Sequence, residues 1–147
     1  MTIYINDYAI TSALGFGVDE TRKNLFSRIS PGMVLTEKYS PGRPLYLGQV
    51  IDVLPDLAKT QLKHRSRNNQ LLLASFNQVE DRFAQLSSRV DKNRIGIIIG
   101  SSTSGISDEE EVFPYLLENH KFPDSFDLAQ RLFCSPANFL AEKLGIS

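Results

Sequence analysis

A chain of 147 residues is long enough for one domain with its own core. Its 41% apolar and 22% charged content is that of a soluble globular protein, and a net charge of −1 leaves no global field to gather nucleic acid or an anionic membrane surface. No apolar stretch approaches the roughly 20 residues that cross a bilayer, Met1–Asp7 lacks the basic and apolar parts of a signal peptide, and one cysteine builds no disulfide framework, so a reducing cytoplasm is the expected compartment.

Taken in order, Thr2 to Ile10 alternates in part and is rich in Ile and Tyr, which predicts a first strand. Thr11 to Gly17 reads as a small-residue loop. Val18 to Ile29 predicts a helix with Val18, Arg22, Leu25, Phe26 and Ile29 on one face, Asp19 and Glu20 in its first turn, and Ser30-Pro31-Gly32 as its stop. From Met33 to Pro55 periodicity fades; Ser40-Pro41-Gly42 marks a turn, and Leu45 to Val50 predicts a strand, at an edge given the flanking prolines. Lys59, Lys63, His64, Arg65 and Arg67 then form a basic cluster, either a solvated face or a docking patch for an acidic partner.

Asn68 to Leu86 gives the clearest helical stripe, with Leu72, Phe76, Val79, Phe83 and Leu86 stepping by four and three. Ile95-Gly96-Ile97-Ile98-Ile99 is short, β-branched and bounded by turns, which predicts a strand buried on both faces and roofed by that helix. The loop after it, Gly100-Ser101-Ser102-Thr103-Ser104-Gly105, sits where open α/β sheets hold ligands. It is no phosphate loop, because Ile106 stands where the lysine is needed, and its glycines do not fit a dinucleotide fingerprint; a tight turn that needs small residues is the plainer reading. Ser107 to Glu110 predicts a capping box opening a helix that Pro114 kinks or shortens. After a loop at His120 to Ser125, a short helix at Asp127–Phe133 is expected, then one capped by Ser135, begun by Pro136 and stopped by Gly145.

Residue by residue, no complete active site emerges. Cys134 follows Leu132 and Phe133 and reads as a small buried hydrophobe before it reads as a nucleophile. His64 and His120 have no metal-ligand spacing with each other or with Cys134, and no Gly-x-Ser-x-Gly elbow is present. The acidic run Asp108 to Glu111 suits a helix N-terminus without any catalytic role.

In order and spacing these stretches resemble the N-terminal portion of a β-ketoacyl-(acyl carrier protein) synthase, a condensing enzyme of the thiolase-like superfamily. Ile3–Ile10 followed by Thr11-Ser12-Ala13-Leu14-Gly15 resembles the family's opening strand and turn; Arg65 to Leu86 resembles its Arg-led helix; Arg94-Ile95-Gly96-Ile97-Ile98-Ile99-Gly100-Ser101 matches "R-(I/V)-G-x-x-x-G-(S/T)"; and Ala137 to Gly145 resembles the "A-x-x-L-G" helix. The Asn-led start Asn68-Asn69-Gln70-Leu71-Leu72 is closer to the condensing enzymes of bacterial aryl-polyene clusters. The resemblance implies an α/β fold, the N-terminal part of a thiolase-like fold with mixed sheet between helices, over the whole of residues 1–147. It implies a dimer, homomeric or with a second ketosynthase-like chain, that accepts acyl groups from an acyl carrier protein and performs decarboxylative Claisen condensation with no metal and no diffusible cofactor. Thr103 falls in the loop lining the family's acyl pocket, and Lys63, Arg65 and Arg67 become candidates for carrier-protein docking. The family's nucleophilic cysteine follows a Gly-Pro beyond the matched Leu144-Gly145-Ile146-Ser147, so no catalytic residue is expected in this polypeptide, and a non-catalytic partner of the chain-length-factor type is the alternative.

Overall fold

The computed structural model describes residues 2–102, 104, 105, 110 and 112–146. It divides into two compact units: the first is Met1–Leu54 with Ala74–Arg82, the second Pro55–Leu73 with Phe83–Ser147. Among the described residues no helix is long and apolar enough to cross a membrane.

In the first unit, the stretch read as a loop is a tight hairpin: β1 (Thr11–Ser12) pairs antiparallel with β2 (Gly15–Phe16). Gly17, at φ 92°, then turns the chain into α1 (Val18–Ser27), a backbone angle that glycine adopts without a Cβ clash. The Glu20 carboxylate accepts the Phe16 N–H at 2.8 Å, so one acidic side chain of the first turn also braces the hairpin. The helix ends at Arg28 in the left-handed conformation, before the Ser-Pro-Gly stop. Its expected apolar face is not covered: Leu25, Phe26 and Ile29 are exposed, and the buried member is Asn24, whose amide donates to the Leu14 carbonyl at 2.6 Å.

β3 (Met33–Thr36) and β4 (Leu45–Gly48) form an antiparallel ribbon with Val34 opposite Leu47 and Leu35 opposite Tyr46. The Leu45 strand was expected; β3 was missed because its residues alternate between exposed and half-buried, and that weak contrast carries little periodic signal. Gly32 ties ribbon to hairpin. Its N–H donates to the Ala13 carbonyl at 2.9 Å, and its carbonyl accepts from Gln49 at 2.7 Å. A Cβ there would fall on the Gln49 carbonyl and 2.6 Å from that of Ala13, so this buried position requires glycine.

The long stripe is broken into α2 (Arg67–Phe76) and α3 (Glu80–Ser87). At the break the Gln78 side chain donates to the Ala74 carbonyl, the Ile10 carbonyl and the Thr11 hydroxyl at 3.0–3.2 Å. The backbone tightens there into i→i+3 bonds at Gln78 and Val79. Ala74 and Phe76 are buried, whereas Leu86 lies at the exposed end of the stripe.

The two expected strands at Thr2–Ile10 and Ile95–Ile99 are not formed. Neither segment belongs to a sheet among the described residues. Ile5 is 87% exposed and Ile98 is 96% exposed, while Ile95, Ile97 and Ile99 are half-buried. The alternation is that of a strand, but a strand is a ladder property and needs a neighbour to supply its bonds. Asp91 instead opens a 3-10 turn at Lys92–Arg94 by accepting the Asn93 N–H at 3.0 Å.

The second unit is organised by a 3-10 turn at Leu62–His64, the first half of α2, a 3-10 turn at Leu128–Arg131, and α5 (Ser135–Leu144). Ahead of the Leu128–Arg131 turn lies α4 (Val112–Asn119), with Pro114 in its first turn, where its missing N–H is harmless, and with His120 at φ 55° after its end. Of the expected capping box Ser107–Glu110, residues 107–109 lie outside the described residues and Glu110 is in a turn. Asp127 caps the Leu128–Arg131 turn, with Gln130 returning the bond, a capping box the sequence reading did not name. In α5, Ser135 is the first helical residue rather than the cap, and Gly145 at φ 62° ends the helix as expected.

Candidate functional site

The basic cluster and the C-terminal helix meet within the second unit. Ser66 caps α2 by accepting the Asn69 N–H at 3.2 Å, and the buried Asn69 amide donates back to the His64 carbonyl at 3.0 Å. Gln130, also buried, donates to the carbonyls of Leu62 at 3.0 Å and Arg65 at 2.8 Å. These side chains satisfy backbone groups that a short turn cannot pair internally, and so they fix where Lys63, His64 and Arg65 point.

His64 is 6% exposed and packs on Phe139 of α5, ring centroids 5.3 Å apart. Its Nε2 lies 2.9 Å from one oxygen of Glu142, and the Lys63 ammonium lies 2.6 Å from the other. Glu142 stands one helical turn after Phe139, so the same face of α5 carries the ring contact and the carboxylate. Hydrogen bonds from Lys63 first and His64 second hold the Glu142 carboxyl below its ordinary range. The remaining ring nitrogen, Nδ1, is buried with no partner among the described residues, and because an ionised carboxylate only accepts, Nε2 is the nitrogen that donates to Glu142.

Beside this pair opens a cleft of about 450 Å³, with Leu57, Leu73 and Phe139 as its apolar wall and Lys59, Thr60, Gln61, Glu142 and Lys143 at its polar side. A histidine–carboxylate pair beside a cleft invites comparison with a catalytic dyad. The one hydroxyl in the lining, Thr60 Oγ1, donates to the Leu57 carbonyl at 2.7 Å and so serves the turn. Cys134, expected to be buried, is exposed and is not part of the lining. Among the described residues no group of three His, Cys, Asp or Glu side chains could hold a metal. Among the described residues lining the cleft, no free hydroxyl or thiol stands next to the imidazole.

The structure gives the three docking candidates different duties. Lys63 is committed to Glu142. Arg65 donates from Nε at 3.0 Å and Nη2 at 2.8 Å to the Thr60 carbonyl, bracing its own loop, while Arg67 is an exposed residue of the first turn of α2. Lys59 is exposed. Thr103 lies outside the described residues. Its neighbours show why the loop is small: Ser104 is buried and accepts from Asn68 at 3.4 Å, and Gly105 sits at φ 62° with its missing Cβ against the Gln130 carbonyl. Ser104 and Gly105 themselves lie in a turn, as their small size suits, although among the described residues no strand leads into it. Gln130 and Glu142 were not singled out in the sequence, since each acts on residues more than 60 positions away.

No family model matches the chain, and no curated protein matches it. Among solved structures, it is similar to a chain of the ketosynthase ApeO in complex with its chain length factor ApeC from Xenorhabdus doucetiae, with 33% sequence identity and a TM-score of 0.84. The similarity covers 97% of this chain and 37% of that one, so the chain spans well under half the length of the protein it matches. The fold is α/β and of the thiolase-like ketosynthase kind.

Proposed function

We propose that this chain is the N-terminal portion of a β-ketoacyl-(acyl carrier protein) synthase, working in fatty-acid or polyketide assembly of the aryl-polyene kind. The observation that carries the reading is the likeness to a ketosynthase complex at 33% identity over 97% of the chain. The reaction of the whole enzyme is condensation of an acyl thioester with a malonyl thioester. It forms one carbon–carbon bond and releases carbon dioxide and the free thiol of the acyl carrier. In this reading the nucleophile for that step belongs to further sequence of the protein. The acidic acyl carrier protein docks on the basic face around Lys63, Arg65 and Arg67, and the acyl pocket includes Thr103.

A second reading has one specific support. The similar structure contains a chain length factor beside its ketosynthase, so the chain is equally suited to the non-catalytic member of such a pair. One experiment separates them. The protein including its further sequence is incubated with acyl-loaded carrier protein and examined by intact-mass spectrometry. The enzyme gains an acyl group on a cysteine; the non-catalytic partner gains none and instead co-purifies with a ketosynthase. Neither acylation nor co-purification would remove both readings.

A further inference from the structure

The docking patch contains its own competitor. Lys63 and His64 lie side by side in the basic cluster, and both are held by one carboxylate, Glu142, reached from a helix 78 and 79 positions away. The Glu142 side chain is about half exposed, whereas that of His64 is 7% exposed, so the carboxylate stands at the rim with one bond facing inward and one facing the solvent-side ammonium. Lys59 and Lys143 line the same cleft, opposed by Asp56 and Glu142. An acidic partner approaching this face therefore meets an ammonium that is already neutralised.

We propose that Glu142 is an internal counter-anion that holds Lys63 back from acidic partners, setting the affinity of the docking face, and that an arriving carboxylate exchanges with it at the Lys63 ammonium. The idea rests on the carrier-protein docking proposed above and concerns how that face is tuned. Such exchange keeps weak, short-lived binding selective: only a partner whose acidic groups reach Lys63 replaces the lost ion pair, while a smaller anion leaves the pair closed. His64 retains Glu142 near its place during the exchange, because its own bond to the carboxylate is the buried one.

The test is a calorimetric titration of the 147-residue chain with phosphopantetheinylated acyl carrier protein at several salt concentrations. Glu142→Gln is expected to tighten binding roughly two- to fivefold, the range of a partly exposed ion pair, and to steepen its salt dependence. Lys63→Met should weaken binding in the parent chain, because it removes the exchanging ammonium and leaves Glu142 bare toward an acidic partner, and it should abolish the gain in the Glu142→Gln background. Arg67→Glu reports on docking itself and should weaken binding in both. If Arg67→Glu weakens binding while Glu142→Gln leaves it unchanged or lowers it, the counter-anion is overturned and docking stands. If none of the charge variants alters the titration, the docking reading falls and takes the counter-anion with it. Melting curves of each variant identify any that fail to fold, and Glu142→Asp, with a shorter reach to Lys63, then serves in place of Glu142→Gln with the same direction expected.

Discussion

At the scale of single residues, the chain places its strictest demands where backbones meet. Gly32 is buried between two carbonyls, and a methyl group there displaces one of them. Gly32→Ala should therefore cost about 1–3 kcal/mol, the usual penalty of overpacking, read as a fall in the urea midpoint with an unchanged slope. Arg65→Ala loses both donors to the Thr60 carbonyl and should destabilise by about 1 kcal/mol, which cautions against reading a charge reversal at Arg65 as a pure docking effect. Glu142 gives a prediction in pH. Its carboxyl is held below its ordinary value, near 4.5, by Lys63 and then His64, so the folded state binds a proton there less readily than the unfolded chain. The stability it contributes is present in full above that ordinary value and is lost as pH falls through the lower folded one. Asp56, Lys59 and Lys143 line the same cleft. Comparing acid unfolding of the parent with Glu142→Gln should show curves that differ above pH 5 and converge in acid; curves that converge only at high pH would reverse the sign. Of these residues, Gly32 and Arg65 were visible as members of a stop signal and a basic cluster. Glu142 was not, because a charge on a helix shows no sign of a partner far away in the chain.

At the scale of elements, helix ends and turn chemistry were readable and helix continuity was not. Gly145 was a sound stop because glycine takes the left-handed angle at little cost, whereas Pro114, expected to kink or limit a helix, sits in the first turn of α4 and does neither. The stripe from Leu72 to Leu86 promised one helix, yet Gln78 divides it. Periodicity reports which residues share a face and says nothing of a side chain that captures backbone acceptors. Substituting Gln78→Ala removes bonds to Ile10, Thr11 and Ala74 and should cost about 1–3 kcal/mol, with amide exchange quickening at Ile10 and Thr11 if the side chain is the clasp. Phe76, one of two buried apolar residues at the end of α2, should cost about 3–5 kcal/mol on truncation to alanine if its cavity stays open. A smaller loss would mean that the surrounding side chains collapse into the space. The basic patch was legible as charge alone. Its meaning as a clasp came only from the buried amides Asn69 and Gln130, which hold the turn that carries it.

For the whole molecule, the largest departure from expectation is also the most informative. Two segments have strand composition, and one has strand-like alternation, without the strand. The run Ile95–Ile99 shows its even member, Ile98, almost wholly to solvent, and the N-terminal segment does the same with Ile3, Tyr4, Ile5 and Tyr8. Exposed β-branched runs of this kind are ready-made edges. The matched ketosynthase-complex chain is far longer than this one, and under the proposed N-terminal role the edges would pair with strands of further sequence. The prediction has two arms. In the 147-residue chain, Ile98→Asp should change stability by no more than about 0.5 kcal/mol, because the side chain has little burial to lose. In the longer polypeptide the same substitution should cost several kcal/mol, because an unpaired carboxylate would enter a two-sided sheet. Amide exchange follows the same division: Ile97 to Ile99 exchange rapidly in the short chain and become protected in the long one, while the helix Ser135–Leu144 is protected in both. An Ile98→Asp variant tolerated equally in the two chains would show that the isoleucine run remains at the surface, and the proposed placement of this chain within a larger ketosynthase sheet would be withdrawn.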